Sequence, residues 1–136
     1  MISDRAISLS RSFTVRIFRI SISILWLLYK TFLIFIKKGK SLKKVLLSDI
    51  IYIEVEEKYC NIITEKEKFV ILISLTKILN LLDDNAFCRT HRNFIANIDK
   101  IVEIVPSDNL IVLQGNHHVT LSERYKDIIK KVRTLK

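Results

Sequence analysis

Glycine and proline are almost missing from this chain. Gly39 and Gly115 are the only glycines among 136 residues, and Pro106 is the only proline. That scarcity excludes a Gly-rich phosphate-binding loop and a flexible Gly/Ser linker, so nucleotide-dependent chemistry loses its usual scaffold. Cysteine is equally short. Cys60 and Cys88 are isolated from each other among apolar neighbours, the pattern of reduced, buried cysteines in a cytosolic protein rather than of a disulfide framework. Histidine offers no closely paired ligands: His91 stands alone, and His117 and His118 are adjacent in a strand-like stretch, where neighbours face opposite ways. No metal and no cofactor are expected. Cys88 and His91 do not make a nucleophile and base either, because three residues apart on an extended strand they take opposite faces, and no third residue is placed to orient the histidine. The chain is therefore not expected to be an enzyme. Acid is the remaining deficit: 14 Asp and Glu face 23 Lys and Arg, giving a net charge of +9 and a pI near 9.7. Such a balance favours polyanions, either nucleic acid or an anionic membrane face.

Length allows one domain with a real core and a short extension, and the chain divides unequally. Residues 1–30 form a basic and apolar segment, expected to be helical. Its uncharged run "ISISILWLLY", Ile20 to Tyr29, follows Arg5, Arg11, Arg16 and Arg19 and precedes Lys30. About 20 apolar residues are needed to cross a bilayer, and this run falls well short. Reaching full length would draw in Lys30, at about 2.5 to 3.5 kcal/mol on insertion scales. No small-residue cleavage site follows, which disfavours a secretory signal. The expectation is peripheral contact with a membrane, or with a partner helix, through residues 13–30, the rest of the chain staying in the cytoplasm.

Beyond Thr31 the rhythm changes to short runs rich in Ile, Val, Phe and Tyr: "TFLIFIKK", "SLKKVLL", "DIIYIEVE", "CNIITE", "KFVILI", "KIVEIV", "NLIVLQ" and "HHVTL". Breaks at Gly39, Glu57 to Lys58, Glu65 to Glu67, Pro106 to Asp108 and Gly115 to Asn116 read as turns. Residues 31–136 are therefore expected to be a mainly β domain, largely antiparallel. Two stretches repeat instead at helical spacing, Leu75, Ile78, Leu79, Leu82 and Tyr125, Ile128, Ile129, Val132, with Ser74 and Ser122 where N-caps belong.

The stretch "FCRTHRNFIANI" holds the densest polar cluster. Phe87, Phe94, Ile95 and Ile98 anchor its ends in a core and leave Arg89, Arg92 and Asn93 near a turn. Arg and Asn at a loop tip are the side chains that read guanine and adenine edges in the major groove. The same residues also suit a solvent-facing turn.

Four blocks in consecutive order, "LLSDIIYIEVEEKYCNIIT", "SLTKILNLLDDNAF", "CRTHRNFIANIDKIVEI" and "VTLSERYKDIIKKV", resemble the LytTR DNA-binding domain family over about residues 31 to 135. The resemblance implies an elongated antiparallel β fold of small sheets with two short helices. It also implies a transcription factor that binds double-stranded DNA at repeated sites, commonly as two copies. Its loops, rather than a recognition helix, would enter successive major grooves and bend the duplex. Carried onto this sequence, the family's contact positions fall on Lys58, Tyr59, Cys60 and Asn61 after the "YIEVEE" strand. Arg92 with Asn93 follows in the "THRN" turn, supported by His91, and then Arg124, with Lys126 gripping phosphate, at the start of the last helix. About thirty preceding residues leave no room for the receiver domain that many members carry, so phosphorylation control within the chain is not expected. Two alternatives stay open beside a cytoplasmic regulator: a membrane-anchored version of it, and an interaction fragment that keeps the fold without binding DNA.

Overall fold

The computed structural model describes residues 33–82, 85–132 and 135; the expected N-terminal helix and its contacts through residues 13–30 lie outside these. Ten strands account for most of the described chain: β1 (Leu33–Lys38), β2 (Ser41–Leu46), β3 (Ile50–Glu56), β4 (Tyr59–Thr64), β5 (Lys68–Ile71), β6 (Phe87–His91), β7 (Phe94–Asn97), β8 (Ile101–Val105), β9 (Leu110–Leu113) and β10 (His117–Thr120). Two short helices, α1 (Leu75–Leu81) and α2 (Ile128–Lys131), interrupt and end the series. The strands form three antiparallel sheets, ordered β1-β2, β5-β4-β3-β7-β6 and β10-β9-β8. The mainly β expectation therefore holds.

The turns are set by residues that tolerate a left-handed backbone, or are forced into one. Gly39 (φ +63°) closes β1-β2, and Gly115 (φ +78°) with Asn116 (φ +61°) closes β9-β10. Asn109 (φ +53°) turns the chain into β9 after the single proline. The β3-β4 connection is tighter and less comfortable. Glu56 pairs with Tyr59, so only Glu57 and Lys58 form the loop, and Glu57 takes φ +58° without the freedom of glycine.

The five-stranded sheet has a core on each face. Ile50, Ile53, Cys60, Ile62, Phe69, Phe87 and Ile95 pack on one side under α1 and the β1-β2 hairpin, which contribute Leu75, Ile78, Ile36 and Val45. On the other side Ile51, Cys88 and Ala96 meet Ile111, Leu113 and Val119 of the three-stranded sheet, with Leu121 and Ile128 closing the end. Helix α1 begins where its sequence says it should: the Ser74 hydroxyl accepts from the Lys77 N–H at 3.2 Å, a side-chain N-cap. The C-terminal repeat behaves differently. It is divided into a 3-10 turn at Glu123–Tyr125 and the four-residue α2, and the Ser122 side chain caps neither. Instead the Ser122 main-chain N–H donates to the Thr90 carbonyl at 2.8 Å, so a tertiary contact decides where this segment starts.

Candidate nucleic-acid interface

Strand β6 carries one residue more than its partner allows. Arg89 pairs with Ile95 and His91 with Phe94, leaving Thr90 as a bulge. The loop that follows, Arg92 and Asn93, has no left-handed residue, whereas the hairpin turns that match strand twist need one. The bulge beside it supplies the extra local twist. Thr90 is fully buried, and its hydroxyl has no hydrogen-bond partner among the described residues.

The main chain of this turn is held on several sides. The Arg89 guanidinium donates through Nε to the His91 carbonyl at 3.3 Å and through Nη2 to the Arg92 carbonyl at 2.5 Å, with a longer 3.4 Å contact from Nη1 to the Thr76 hydroxyl. Asn93 donates its N–H to His91 Nδ1 at 3.1 Å, and its carbonyl accepts from the Val55 N–H of β3 at 2.9 Å. The His91 ring packs tilted against Phe94, centroids 5.7 Å apart. His91 is thus engaged within the turn through both Nδ1 and its ring face. The Arg92 side chain is exposed and, among the described residues, enters no hydrogen bond or ion pair, and the Asn93 amide is likewise unengaged. A fixed main chain thus displays two free polar side chains, the arrangement that keeps the entropy cost of binding low.

Lys58 stands across from them. It is exposed on the β3-β4 loop, its ammonium 5.9 Å from the centroid of the Tyr59 ring, itself 40% exposed. An open groove of about 540 Å³ lies between this loop, the Leu72 to Thr76 entry to α1 and the β6-β7 turn, and Lys58, Arg89, Arg92 and Asn93 all line it. Arg124 borders a neighbouring depression of about 300 Å³ on the far side of Arg89. Its guanidinium sits 5.7 Å from the Tyr125 ring. Arg89 lines both concavities.

Three of the expected contact residues have partners within the protein. Asn61 is 1% exposed, and its amide donates to Glu56 at 2.9 Å and, more weakly, to Glu54 at 3.4 Å, which stiffens the β3-β4 hairpin from within. Cys60, one residue earlier, faces the core and donates its thiol to the Ile73 carbonyl at 2.8 Å, tying down the loop that borders the groove. Burial pushes that thiol up from its ordinary range, with Arg89 pulling partly back. Lys126 points its ammonium at Glu123 and at the Pro106 carbonyl, so it anchors the C-terminal turn. Sequence reasoning did not assign Arg89 its bracing part. Its partners are main-chain carbonyls and a threonine 13 positions back, and no spacing rule points to them.

The described residues thus form an antiparallel β body whose loops display exposed basic and amide side chains, with no metal-binding cluster among them. Comparisons with known proteins identify the family. Residues 40–133 match the LytTr DNA-binding domain, and the chain belongs to that family. It is similar to the sensory transduction protein LytT of Bacillus subtilis, 33% identical over 98 residues covering 69% of this chain and 40% of LytT. It is also similar to the transcriptional regulatory protein YpdB of Escherichia coli, 37% identical over 60 residues, 44% of this chain and 25% of YpdB. A solved LytTr DNA-binding domain from Bacillus cereus superposes with a TM-score of 0.65 at 25% identity, covering 73% of this chain and 94% of that one. The chain spans well under half the length of the curated relatives it matches.

Proposed function

We propose that the chain is a sequence-specific DNA-binding transcriptional regulator, with no catalytic activity of its own, that presents two turns to the major groove. In this reading Arg92 and Asn93 read base edges, Lys58 and Tyr59 occupy the adjacent groove, and Arg124 grips the backbone between or beside them. Arg is suited to the O6 and N7 acceptors of guanine, and Asn to the edge of adenine. Asn61 and Lys126 shape their loops from behind. Repeated sites and a pair of copies on one duplex belong to the same reading, as does a body, residues 31–136, that works in the cytoplasm.

The observation that carries it is the unengaged Arg92 guanidinium on a turn whose own main chain is held by Arg89, His91 and Val55. Selection of bound fragments from a random duplex pool, followed by gel shift on the winner, tests it. A consensus should emerge, and Arg92→Ala should cost about 1–3 kcal/mol on that site while relaxing preference at one base pair. Equal weakening on all sequences would make Arg92 a phosphate contact. No retardation of any duplex would leave the chain as an interaction fragment.

A further inference from the structure

The β1-β2 hairpin carries a surface that the groove does not use. Strand alternation sends Ile34, Ile36 and Val45 into the core and turns Phe35, Leu42 and Leu46 outwards, where they are 59%, 68% and 40% exposed. Lys37 and Lys44 are exposed on the strands that carry them, and Lys40 sits in the connecting turn. No Asp or Glu occurs between residues 33 and 48. Of the five hairpin lysines, Lys38 and Lys43 are engaged with Glu67. Lys37, Lys40 and Lys44 form no ion pair among the described residues. One exposed face therefore combines three large apolar side chains with three free ammonium groups and nothing negative.

We propose that this face docks on the surface of an anionic lipid bilayer, Phe35, Leu42 and Leu46 entering the boundary between headgroups and acyl chains while Lys37, Lys40 and Lys44 meet the acidic headgroups. Charge complementarity selects this occupant. A second copy pairing through the same face would set these lysines against their own counterparts. A duplex would take the lysines and leave the apolar side chains in water. An anionic bilayer satisfies both sets, and lasting attachment to a membrane surface takes two such signals together. The position also leaves the DNA-facing end clear. Lys38 and Lys43 hold Glu67 in the β4-β5 turn, at the opposite end of β4 from Tyr59, and a six-residue strand measures about 17 Å between its ends. This inference stands apart from the DNA reading, which can fail without it.

The test is co-sedimentation of the full chain with vesicles of phosphatidylcholine containing about a third phosphatidylglycerol, against vesicles of phosphatidylcholine alone. The residues from Ile20 to Tyr29 are present in every sample, so the comparison isolates the hairpin. The chain should prefer the anionic vesicles, and K37Q/K40Q/K44Q should lower its partition onto them at least about tenfold. F35S/L42S should also lower it, with the charge intact. Each variant replaces only exposed side chains, and matching far-UV circular dichroism certifies its fold. Equal partition of both folded variants and the wild type would overturn the proposal, as would equal binding to neutral vesicles. A loss of dimer in either variant would assign the face to a second copy, and a loss of affinity for short duplex DNA would assign it to nucleic acid; either result also overturns it.

Discussion

Arg89 holds Arg92: the guanidinium of the first donates to the main-chain carbonyl of the second at 2.5 Å, and to that of His91 beside it at 3.3 Å. One arginine of this turn braces the main chain, while the side chain of the other enters no hydrogen bond or ion pair among the described residues. The two should respond to mutation in different ways, although both are basic and only three residues apart.

Arg89→Ala is expected to weaken binding to the specific site by loosening the turn, with a ceiling of about 1.5–3 kcal/mol set by the worth of hydrogen bonds from a charged group to the folded turn. The slope of log affinity against log salt should stay where it is, because a guanidinium bonded to protein carbonyls releases no counterion from DNA. Arg89→Lys should restore little, lacking the planar fork that reaches two carbonyls at once. The decisive measurement is the salt slope: a fall of about one in its magnitude would show that Arg89 touches a phosphate.

Thr90 offers a prediction on stability. A buried hydroxyl without a partner costs about 1–3 kcal/mol, and this one has none among the described residues. Thr90→Val keeps the branched shape of the bulge, so it should raise the unfolding free energy by about 1 kcal/mol in urea denaturation. Its carbonyl, which accepts from Ser122, is unaffected. A destabilised variant would mean that the hydroxyl is satisfied in solution.

The hairpin that bears the exposed apolar face should be acid-sensitive. Hydrogen bonds from Lys38 and Lys43 hold the Glu67 carboxyl below its ordinary value of 4.5. A carboxyl depressed in the folded state stabilises it fully above the unfolded value, progressively less below that, and not at all once the pH has fallen through the folded value. NMR signals of the β1-β2 amides should therefore lose their native positions during acidification below about pH 4.5, earlier than those of β3 and β7. In Glu67→Gln that step should vanish. An unchanged transition in the variant would place the sensitivity elsewhere.

The cysteines should be inert in the folded chain. Burial pushes the Cys88 thiol up to about 12, Lys131 only partly opposing it, so the reactive thiolate is scarce at neutral pH. Alkylation by iodoacetamide should be slow until denaturant is added, and neither reductant nor chelator should change DNA affinity. Loss of affinity with either reagent would reopen a redox or metal role.

Alternation and turn chemistry made most of the sheets legible in advance. Gly39, the Glu57 to Lys58 pair, Pro106 to Asp108 and Gly115 to Asn116 all close or precede strands where the residue pattern placed them, and Ser74 caps α1. The last helix was legible only as an amphipathic repeat from Tyr125 to Val132. Its division follows from Ser122 bonding Thr90 and Lys126 bonding Pro106, contacts between segments 32 and 20 positions apart that no local spacing encodes. The site divides the same way. Arg92 and Asn93 were visible as polar residues at a turn between apolar anchors. The inward aim of Asn61 depends on Glu54 and Glu56 across the hairpin, and the bulge at Thr90 on a register that only strand pairing reveals.

Ile50 and Ile51 are consecutive in the chain yet buried in different cores, one on each side of the five-stranded sheet. The sheet is therefore a party wall, and neither room can be opened without stripping the other's side of it. Such a wall melts as one cooperative unit, so the amides of β3 and β7 should be the slowest to exchange with solvent, and should do so only by global opening. The loops at its ends lie outside that unit. Their exposed side chains can be exchanged by mutation at little cost to the wall, so under the proposed function a lineage is free to change the sequence it reads while it keeps the building.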